Sequence, residues 1–174
     1  MNYSIAKALP ILERTPEVLS TLLIDLDDDW IYSNEGPDTW SPFDIVGHLI
    51  HGEITDWTSR LNIILSEADD KTFEPFDRFA QFETSKLKNL NQLLAEFKSR
   101  RAENIKYLKS LNITKDQFDL KAVHPSLGEV TMKELLSTWV AHDLGHIAQI
   151  ARVMAKQYKD EVGPWQEYMP ILNR

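Results

Sequence analysis

Four long segments of this chain carry apolar residues at helical spacing, and polar connections separate them. Helix-capping residues introduce three of the segments, namely Thr15-Pro16, Ser41-Pro42 and the T-x-x-E box from Thr131 to Glu134. No run alternates between apolar and polar residues, and no Asn-Gly turn is present. These patterns predict an all-α protein, a four-helix bundle with long connections, in which residues 1–174 form a single domain.

The breaks in the apolar pattern give the predicted boundaries of the helices. We expect helices at about residues 16–26, 42–66, 86–111 and 132–158. The connections between them, which include the polar stretch 67–83 and residues 112–130, are longer than a minimal up-and-down bundle needs. A connection that crosses over the bundle is therefore compatible with the sequence.

The charge balance argues against a nucleic-acid partner. The chain has 19 Lys and Arg against 27 Asp and Glu, which gives a formal net charge of −8 at pH 7. Such a chain repels phosphate backbones, and no basic run interrupts it. The pair Arg100-Arg101 lies in a mixed-charge helical segment, and we predict that both side chains face solvent.

Several classes of chemistry and location are excluded or disfavoured by composition. The chain has no cysteine, which excludes disulfides, a cysteine zinc site and a cysteine nucleophile. The N-terminal residues do not resemble a signal peptide, and no segment approaches the roughly 18 apolar residues of a membrane span. The expectation is a cytoplasmic protein with no membrane partner.

Two histidines one helical turn apart are the strongest chemical signal. His142 and His146 occupy the apolar register of the fourth predicted helix, so their imidazoles lie on one face and can bind a single metal ion. A third ligand could come from His48 or His51 in the second helix. Helical periodicity places His51 nearer the apolar face than His48, so the spacing alone does not choose His48.

Glycines and aromatic residues accompany these histidines. Gly47, Gly52 and Gly145 lie inside predicted helices, where glycine costs about 1 kcal/mol relative to alanine, and they suggest close approaches of other groups. Trp57 and Trp139 are predicted to belong to the core, and Trp139 could also form a wall of the histidine site.

The second-helix run Trp40-Ser41-Pro42-Phe43-Asp44-Ile45-Val46-Gly47-His48-Leu49 resembles the W-S-x-x-x-[IVL]-x-x-H-L motif of the DinB/YfiT-like family. The run His142-x-x-x-His146 resembles the second motif of that family, in the same order. The resemblance covers nearly the whole chain and implies a DinB-like four-helix bundle. It further implies a metal held by one histidine of the second helix and two of the fourth, here His48, His142 and His146.

This resemblance implies a divalent transition metal, nickel, zinc or iron, with an open coordination position on three neutral imidazoles. Such a metal activates a bound water or a thiolate. The family includes hydrolases and transferases that use low-molecular-weight thiols, so we expect a metal-dependent enzyme of one of these types that acts on a small molecule. A thiol would have to be supplied as a cofactor, because the chain has no cysteine.

The sequence is also compatible with other functions. One is a non-catalytic metal-binding or stress-related bundle, since no acid or base partner is obvious. Another is a metal-free bundle that acts through a partner helix or as a homodimer. His142-Asp143-x-x-His146 also resembles the H-E-x-x-H motif of zinc proteases, with Glu167 as a third ligand, although Asp143 shortens the reach of the base.

Four further residues are candidates for a role around the metal or in catalysis: His51, Glu53, His124 and Asp143. His51 could be an outer partner of the metal ligands or a structural histidine. Glu53 and Asp143 could act as acid, base or outer carboxylate, or be surface charges. His124 precedes Pro125 in the third connection, which predicts either a residue at the cavity mouth or an ordinary turn histidine.

Overall fold

The structure is a computed structural model that describes residues 2–173. In that part of the chain, seven α-helices and one β-hairpin follow one another: α1 (Ile5–Leu23), α2 (Asp28–Tyr32), α3 (Pro42–Thr55), α4 (Trp57–Leu65), α5 (Ala80–Ser85), α6 (Leu90–Ser110), β1 (Lys121–His124), β2 (Gly128–Thr131) and α7 (Met132–Lys156). Short 3-10 helices lie at Asp116–Asp119, Gly163–Tyr168 and Pro170–Asn173. The predicted helical bundle is confirmed.

Four rods form the bundle: α1, α3 with its continuation α4, α6, and α7. α6 packs against both α1 and α3, and α7 packs against the same two helices on the other side. Apolar side chains between the rods form two clusters, one around Phe97 and Ile150 and the other around Trp57 and Trp139. The predicted burial of Trp57 and Trp139 is confirmed, because they are only 3% and 0% exposed.

The first helix begins at Ile5, eleven residues earlier than the sequence predicts. Ser4 caps it, and its hydroxyl accepts a hydrogen bond from the Lys7 N–H. Thr15 therefore lies inside the helix, where its hydroxyl donates to the Ile11 carbonyl at 3.1 Å, and buried Pro16 follows it. Tertiary packing of the apolar face of α1 outweighs the loss of helical hydrogen bonds at its two interior prolines, Pro10 and Pro16.

The predicted third helix is also shifted at its start. A capping box formed by Asn89 and Gln92 begins α6 at Leu90, whereas the apolar pattern predicted a start near Lys86. Before this box, the short helix α5 occupies the end of the stretch predicted as loop. The side-chain oxygens of Asn89 and Gln92 satisfy backbone N–H groups at 2.9 Å, which fixes the helix start there.

The β-hairpin is an element that the sequence patterns missed. Its two antiparallel strands have only four residues each, too few to show an alternating pattern. The preceding connection joins the hairpin, because the Phe73 N–H donates to the Val123 carbonyl and the Val123 N–H donates to the Lys71 carbonyl. Thr131 ends β2 and caps α7 with Glu134, as predicted.

The three helical glycines differ in their surroundings. A Cβ atom on Gly47 would lie 2.5 Å from Ser85 Oγ, and one on Gly52 would lie 3.4 Å from Trp57 Nε1. These two glycines permit the close approaches that the sequence suggested. A Cβ atom on Gly145 would have no other group within 4 Å, so the expectation of a close approach is wrong there.

We therefore expect the Gly145→Ala variant to be more stable than the unchanged protein. The substitution removes the conformational freedom of a glycine at an exposed position of a helix and should raise the free energy of unfolding by about 0.5–1 kcal/mol. Urea denaturation followed by circular dichroism measures this change. Gly47→Leu is the matched comparison, and it should lower the free energy of unfolding because Ser85 fills the space. A destabilised Gly145→Ala variant would contradict the prediction.

Candidate metal centre

Two histidines of α7 and one of α3 meet at one end of a cavity in the bundle. The Nε2 atom of His142 lies 3.2 Å from Nε2 of His48 and 3.1 Å from Nε2 of His146. One ring nitrogen from each of the three residues lies within 4.8 Å of the other two. The chain thus brings together His48, His142 and His146, which are the three residues implied by the family resemblance.

These separations fit a metal ion. Nitrogen ligands that bind zinc at about 2.0–2.1 Å in a tetrahedral arrangement lie about 3.3 Å from one another. The two measured separations of 3.1 and 3.2 Å are close to that value. Three imidazole nitrogens are also a donor set that zinc, nickel and iron accept. This group of histidines could therefore hold a divalent transition metal.

Burial keeps the three rings neutral. Desolvation, together with the smaller effect of the neighbouring histidines, lowers the pKa of His48 and of His142 to about 3. Burial also lowers the pKa of His146, against the opposing effects of Gln149 and Asp143. Neutral imidazoles are the form that binds metals, so the rings need not lose a proton first at neutral pH.

Gln149 orients one of the rings. Its Oε1 atom lies 2.8 Å from Nδ1 of His146, and an amide oxygen can only accept a hydrogen bond. The Nδ1 atom of His146 is therefore the donor, which leaves the lone pair on Nε2, the atom that faces His142. Outer contacts of this kind commonly fix the tautomer of a metal-binding histidine. Gln149 was not among the predicted site residues, although it lies three residues after His146, a spacing that makes the two neighbours on one helix face.

Aromatic rings surround the histidines. The Trp40 ring lies 4.8 Å from the His48 ring, and Phe76 lies 5.4 Å from it, both measured between centroids. Trp57 lies 5.1 Å from the His142 ring and stacks on Trp139 at 5.6 Å. The rings exclude water from the protein side of the site and restrict the rotation of two of the three imidazoles.

The cavity in front of the histidines has a volume of about 960 Å³. This volume is at the upper end of the range of small-molecule sites. All three histidines line it, together with aromatic residues of the connection before α5 and residues of the hairpin turn. The cavity therefore gives a small molecule access to the open side of the histidine group.

His124, at the end of β1, is one of the residues that line this cavity. Its Nδ1 atom accepts hydrogen bonds from the N–H groups of Ser126 at 3.1 Å and Leu127 at 3.3 Å. A neutral imidazole that accepts at Nδ1 carries its proton on Nε2. Burial and the charge of Arg60 lower the pKa of His124, so this neutral, donating form is favoured at neutral pH.

His51 does not join the cluster. It is half-buried, its ring lies 4.8 Å from the ring of Phe76, and it is not part of the cavity wall. The expectation from helical periodicity that His51 is better placed than His48 is wrong, because His48 is only 7% exposed. α3 packs against α5, α6 and α7, and nine of its 14 residues are buried, so a single apolar stripe does not define its inner face.

Glu53 and Asp143 lie behind the site rather than in it. Both carboxylates are buried, at 3% and 0% exposure, and both bind the guanidinium of Arg101. Asp143 accepts two hydrogen bonds from Arg101, at 2.5 and 2.9 Å. The expectation that these carboxylates are surface charges is wrong, and neither lines the cavity where an acid or base would act.

The prediction that the Arg101 side chain faces solvent is also wrong. It is 2% exposed, and it also donates to the Leu12 carbonyl at 2.9 Å. Burial opposes its charge, but Glu53 and Asp143 more than offset that effect and raise its pKa. The Glu53 carboxylate accepts further hydrogen bonds from Trp139 Nε1 and from Asn104 Nδ2. This buried ion cluster links α1, α3, α6 and α7.

The protease-like interpretation of the fourth-helix motif is not supported by this geometry. Asp143, the residue that would replace the protease glutamate, points to Arg101 and has no exposed surface. Glu167 is exposed and is not part of the cavity wall. A general base and a third ligand are thus both missing from the positions that the motif requires.

The fold and the three histidines place this chain in a class of proteins: helical bundles with a cavity in which three neutral histidines could bind a divalent metal. The family model described as the DinB superfamily matches residues 11–150. The chain therefore belongs to the DinB superfamily.

A comparison with solved structures supports the same fold. The chain is similar to YfiT from Bacillus subtilis, with a TM-score of 0.73 and 21% sequence identity, over 93% of this chain and 91% of that one. YfiT is described as a probable metal-dependent hydrolase with an unusual four-helix bundle topology. None of the curated proteins searched matches the chain. No helix in residues 2–173 is long and apolar enough to cross a membrane.

Proposed function

We propose that this protein is a metal-dependent hydrolase of small molecules, with His48, His142 and His146 as ligands of a divalent transition metal such as zinc, nickel or iron. The observation that carries the proposal is the convergence of three neutral imidazoles at the wall of an accessible cavity. The description of YfiT as a probable metal-dependent hydrolase supports it.

The bound metal would polarise a substrate carbonyl and lower the pKa of a water molecule. The protein's own contribution is to hold three imidazoles neutral and oriented. Burial keeps the rings unprotonated, and Gln149 directs the lone pair of His146 toward its neighbours. The indole of Trp40 and the ring of Phe76 pack beside His48 and limit the water around it.

His124 is the candidate for a catalytic residue from the protein. Its Nδ1 is occupied by two backbone N–H groups, so Nε2 carries the proton. That N–H, on the wall of the same cavity, would donate a hydrogen bond to the substrate oxygen on which negative charge develops. His124 cannot act as a general base in this form, because the lone pair of Nδ1 already accepts these two hydrogen bonds.

A thiol S-transferase is the second candidate. The cavity of about 960 Å³ has room for a low-molecular-weight thiol beside an electrophilic substrate. The chain itself has no cysteine, so the thiol would enter as a cosubstrate. Binding of a metal without any turnover would instead identify a non-catalytic metal-binding bundle.

The test is turnover by protein loaded separately with Zn²⁺, Ni²⁺ and Fe²⁺. A panel of esters and amides is assayed without thiol, and electrophiles are assayed with added thiols. Cleavage that requires metal but no thiol supports the hydrolase, and metal-dependent thiol consumption supports the transferase. In either case, His124→Phe should lower kcat by about 100-fold with unchanged metal content.

His124→Gln is the conservative variant, because its amide can still donate, and we expect it to retain part of the activity. His51→Gln is the matched control, since His51 does not line the cavity, and its kcat should stay near that of the unchanged protein. An undiminished kcat in His124→Phe would contradict the role assigned to this histidine.

A further inference from the structure

Two guanidinium groups line the cavity of the histidine site, and their surroundings differ. The Arg152 guanidinium is held by the Glu35 carboxylate through two hydrogen bonds of 2.6 and 3.0 Å, and Lys156 lies 3.5 Å from the same carboxylate. Arg78 has no carboxylate within 4 Å among residues 2–173, although it lines the same cavity. One of the two positive charges is thus neutralised and the other is available.

Aromatic rings position the available guanidinium. The Arg78 guanidinium carbon lies 5.8 Å from the centre of the Trp40 ring and 5.9 Å from that of Phe79. Trp40 in turn packs on His48, with 4.8 Å between the ring centres. A single indole therefore separates the cation from a proposed metal ligand, and the cation–π contacts hold it there.

The nearby carboxylates do not neutralise Arg78. Asp77, its neighbour in the chain, accepts a hydrogen bond from the Phe79 N–H. Asp38 lines the cavity but lies outside ion-pair distance of Arg78 in the described chain. A histidine ring carries no negative charge, so the three histidines cannot neutralise Arg78 either. A ligand with a negative group would supply the partner that Arg78 lacks.

We infer that the site takes substrates that carry a carboxylate, which Arg78 binds while the reacting carbonyl faces the histidines; this inference rests on the proposed function. A guanidinium presents a planar fork of donors that matches a carboxylate. A single unpaired guanidinium also matches a single negative charge better than a phosphate dianion. The rings of Trp40, Phe76 and Phe79 provide an apolar surface for the carbon skeleton of such a molecule.

The first test uses metal-free protein and two isosteric probes, phenylacetate and neutral phenylacetamide, with binding followed by calorimetry. We expect phenylacetate to bind about fivefold more tightly, and the preference to disappear in Arg78→Met. Arg78→Lys should keep part of it. Arg14→Met is the matched control, because Arg14 is exposed and does not line the cavity, and it should keep the full preference.

Equal binding of the two probes, binding of neither, or a preference that survives in Arg78→Met would overturn the inference. Stronger competition by inorganic phosphate than by acetate against bound phenylacetate would also overturn it, since it would identify a phosphate site. None of these outcomes involves a metal, so they leave the proposed function untouched.

A second test uses zinc-loaded protein and compounds that can bind the metal and Arg78 at the same time. Adipic acid monohydroxamate and hexanohydroxamic acid share a metal-binding end, but only the first has a terminal carboxylate. We expect the carboxylate compound to bind about fivefold more tightly in the unchanged protein and equally in Arg78→Met. Equal affinity in the unchanged protein counts against the carboxylate inference alone, whereas failure of both compounds to bind counts against the proposed metal site.

Discussion

The His142→Ala variant should bind divalent metal at least 100-fold more weakly than the unchanged protein. His142 lies between the other two rings, with its Nε2 atom 3.2 Å from His48 and 3.1 Å from His146. Its removal leaves two donors from different helices with a gap between them. Loss of an outer contact to a metal ligand commonly lowers affinity by 10–100-fold, so loss of a ligand should exceed that range.

Competition with a chromophoric chelator gives the affinity, and elemental analysis after gel filtration gives the metal content. His51→Ala is the matched control, because it removes a histidine of the same helix as His48 that lies outside the cluster. It should retain one metal per chain. If His142→Ala and His51→Ala bind metal equally well, the three-histidine site is not the metal site.

The Arg101→Met variant should have a free energy of unfolding lower by about 3–5 kcal/mol. The substitution removes the only cation within ion-pair distance of Glu53 and Asp143 among residues 2–173. Two carboxylates would then remain in a region that is almost fully excluded from water. Removing one partner of a buried ion cluster is costly because the remaining charges keep their desolvation penalty.

Urea denaturation measures the effect, and Arg100→Met provides the matched control on the same helix. Arg100 binds Glu96 at the surface, at 2.8 Å, where ion pairs contribute about 0–1 kcal/mol. The triple variant Arg101→Met, Glu53→Gln, Asp143→Asn removes the stranded charges and should recover part of the lost stability. A loss below about 1 kcal/mol in Arg101→Met would show that water reaches the cluster.

Local signals in the sequence predicted the four long helical segments of the bundle and the start of two of them, α3 and α7. Caps such as Ser41 and Thr131 satisfy backbone N–H groups within four residues, so their effect depends only on neighbouring sequence. The predicted start of α1 was wrong because proline is common at the first position of a helix, whereas Pro16 lies in the interior of a longer helix. The four-residue strands of the hairpin lack enough residues for a period to be visible.

The site was predictable only in part. The i, i+4 spacing of His142 and His146 is a property of one helix and could be seen directly. His48 could not be chosen from periodicity, because α3 is buried on several sides, and the family motif indicated it instead. Arg101 binds Asp143 and Glu53, which lie 42 and 48 residues away in the sequence. Its burial therefore depends on how α3, α6 and α7 pack and not on the residues next to it in the chain.

The buried ion cluster has a consequence for how the protein acquires its metal. Arg101 links the helices that carry the proposed ligands, through Glu53 on α3 and Asp143 on α7, without using any ligand atom. These ion pairs hold α3 and α7 together without a metal. Small zinc domains differ, because they fold only when zinc is bound. We therefore expect the proposed metal to bind to a site that is already folded. Its identity would then depend on which ions are available to the folded protein, and its removal would not unfold the chain.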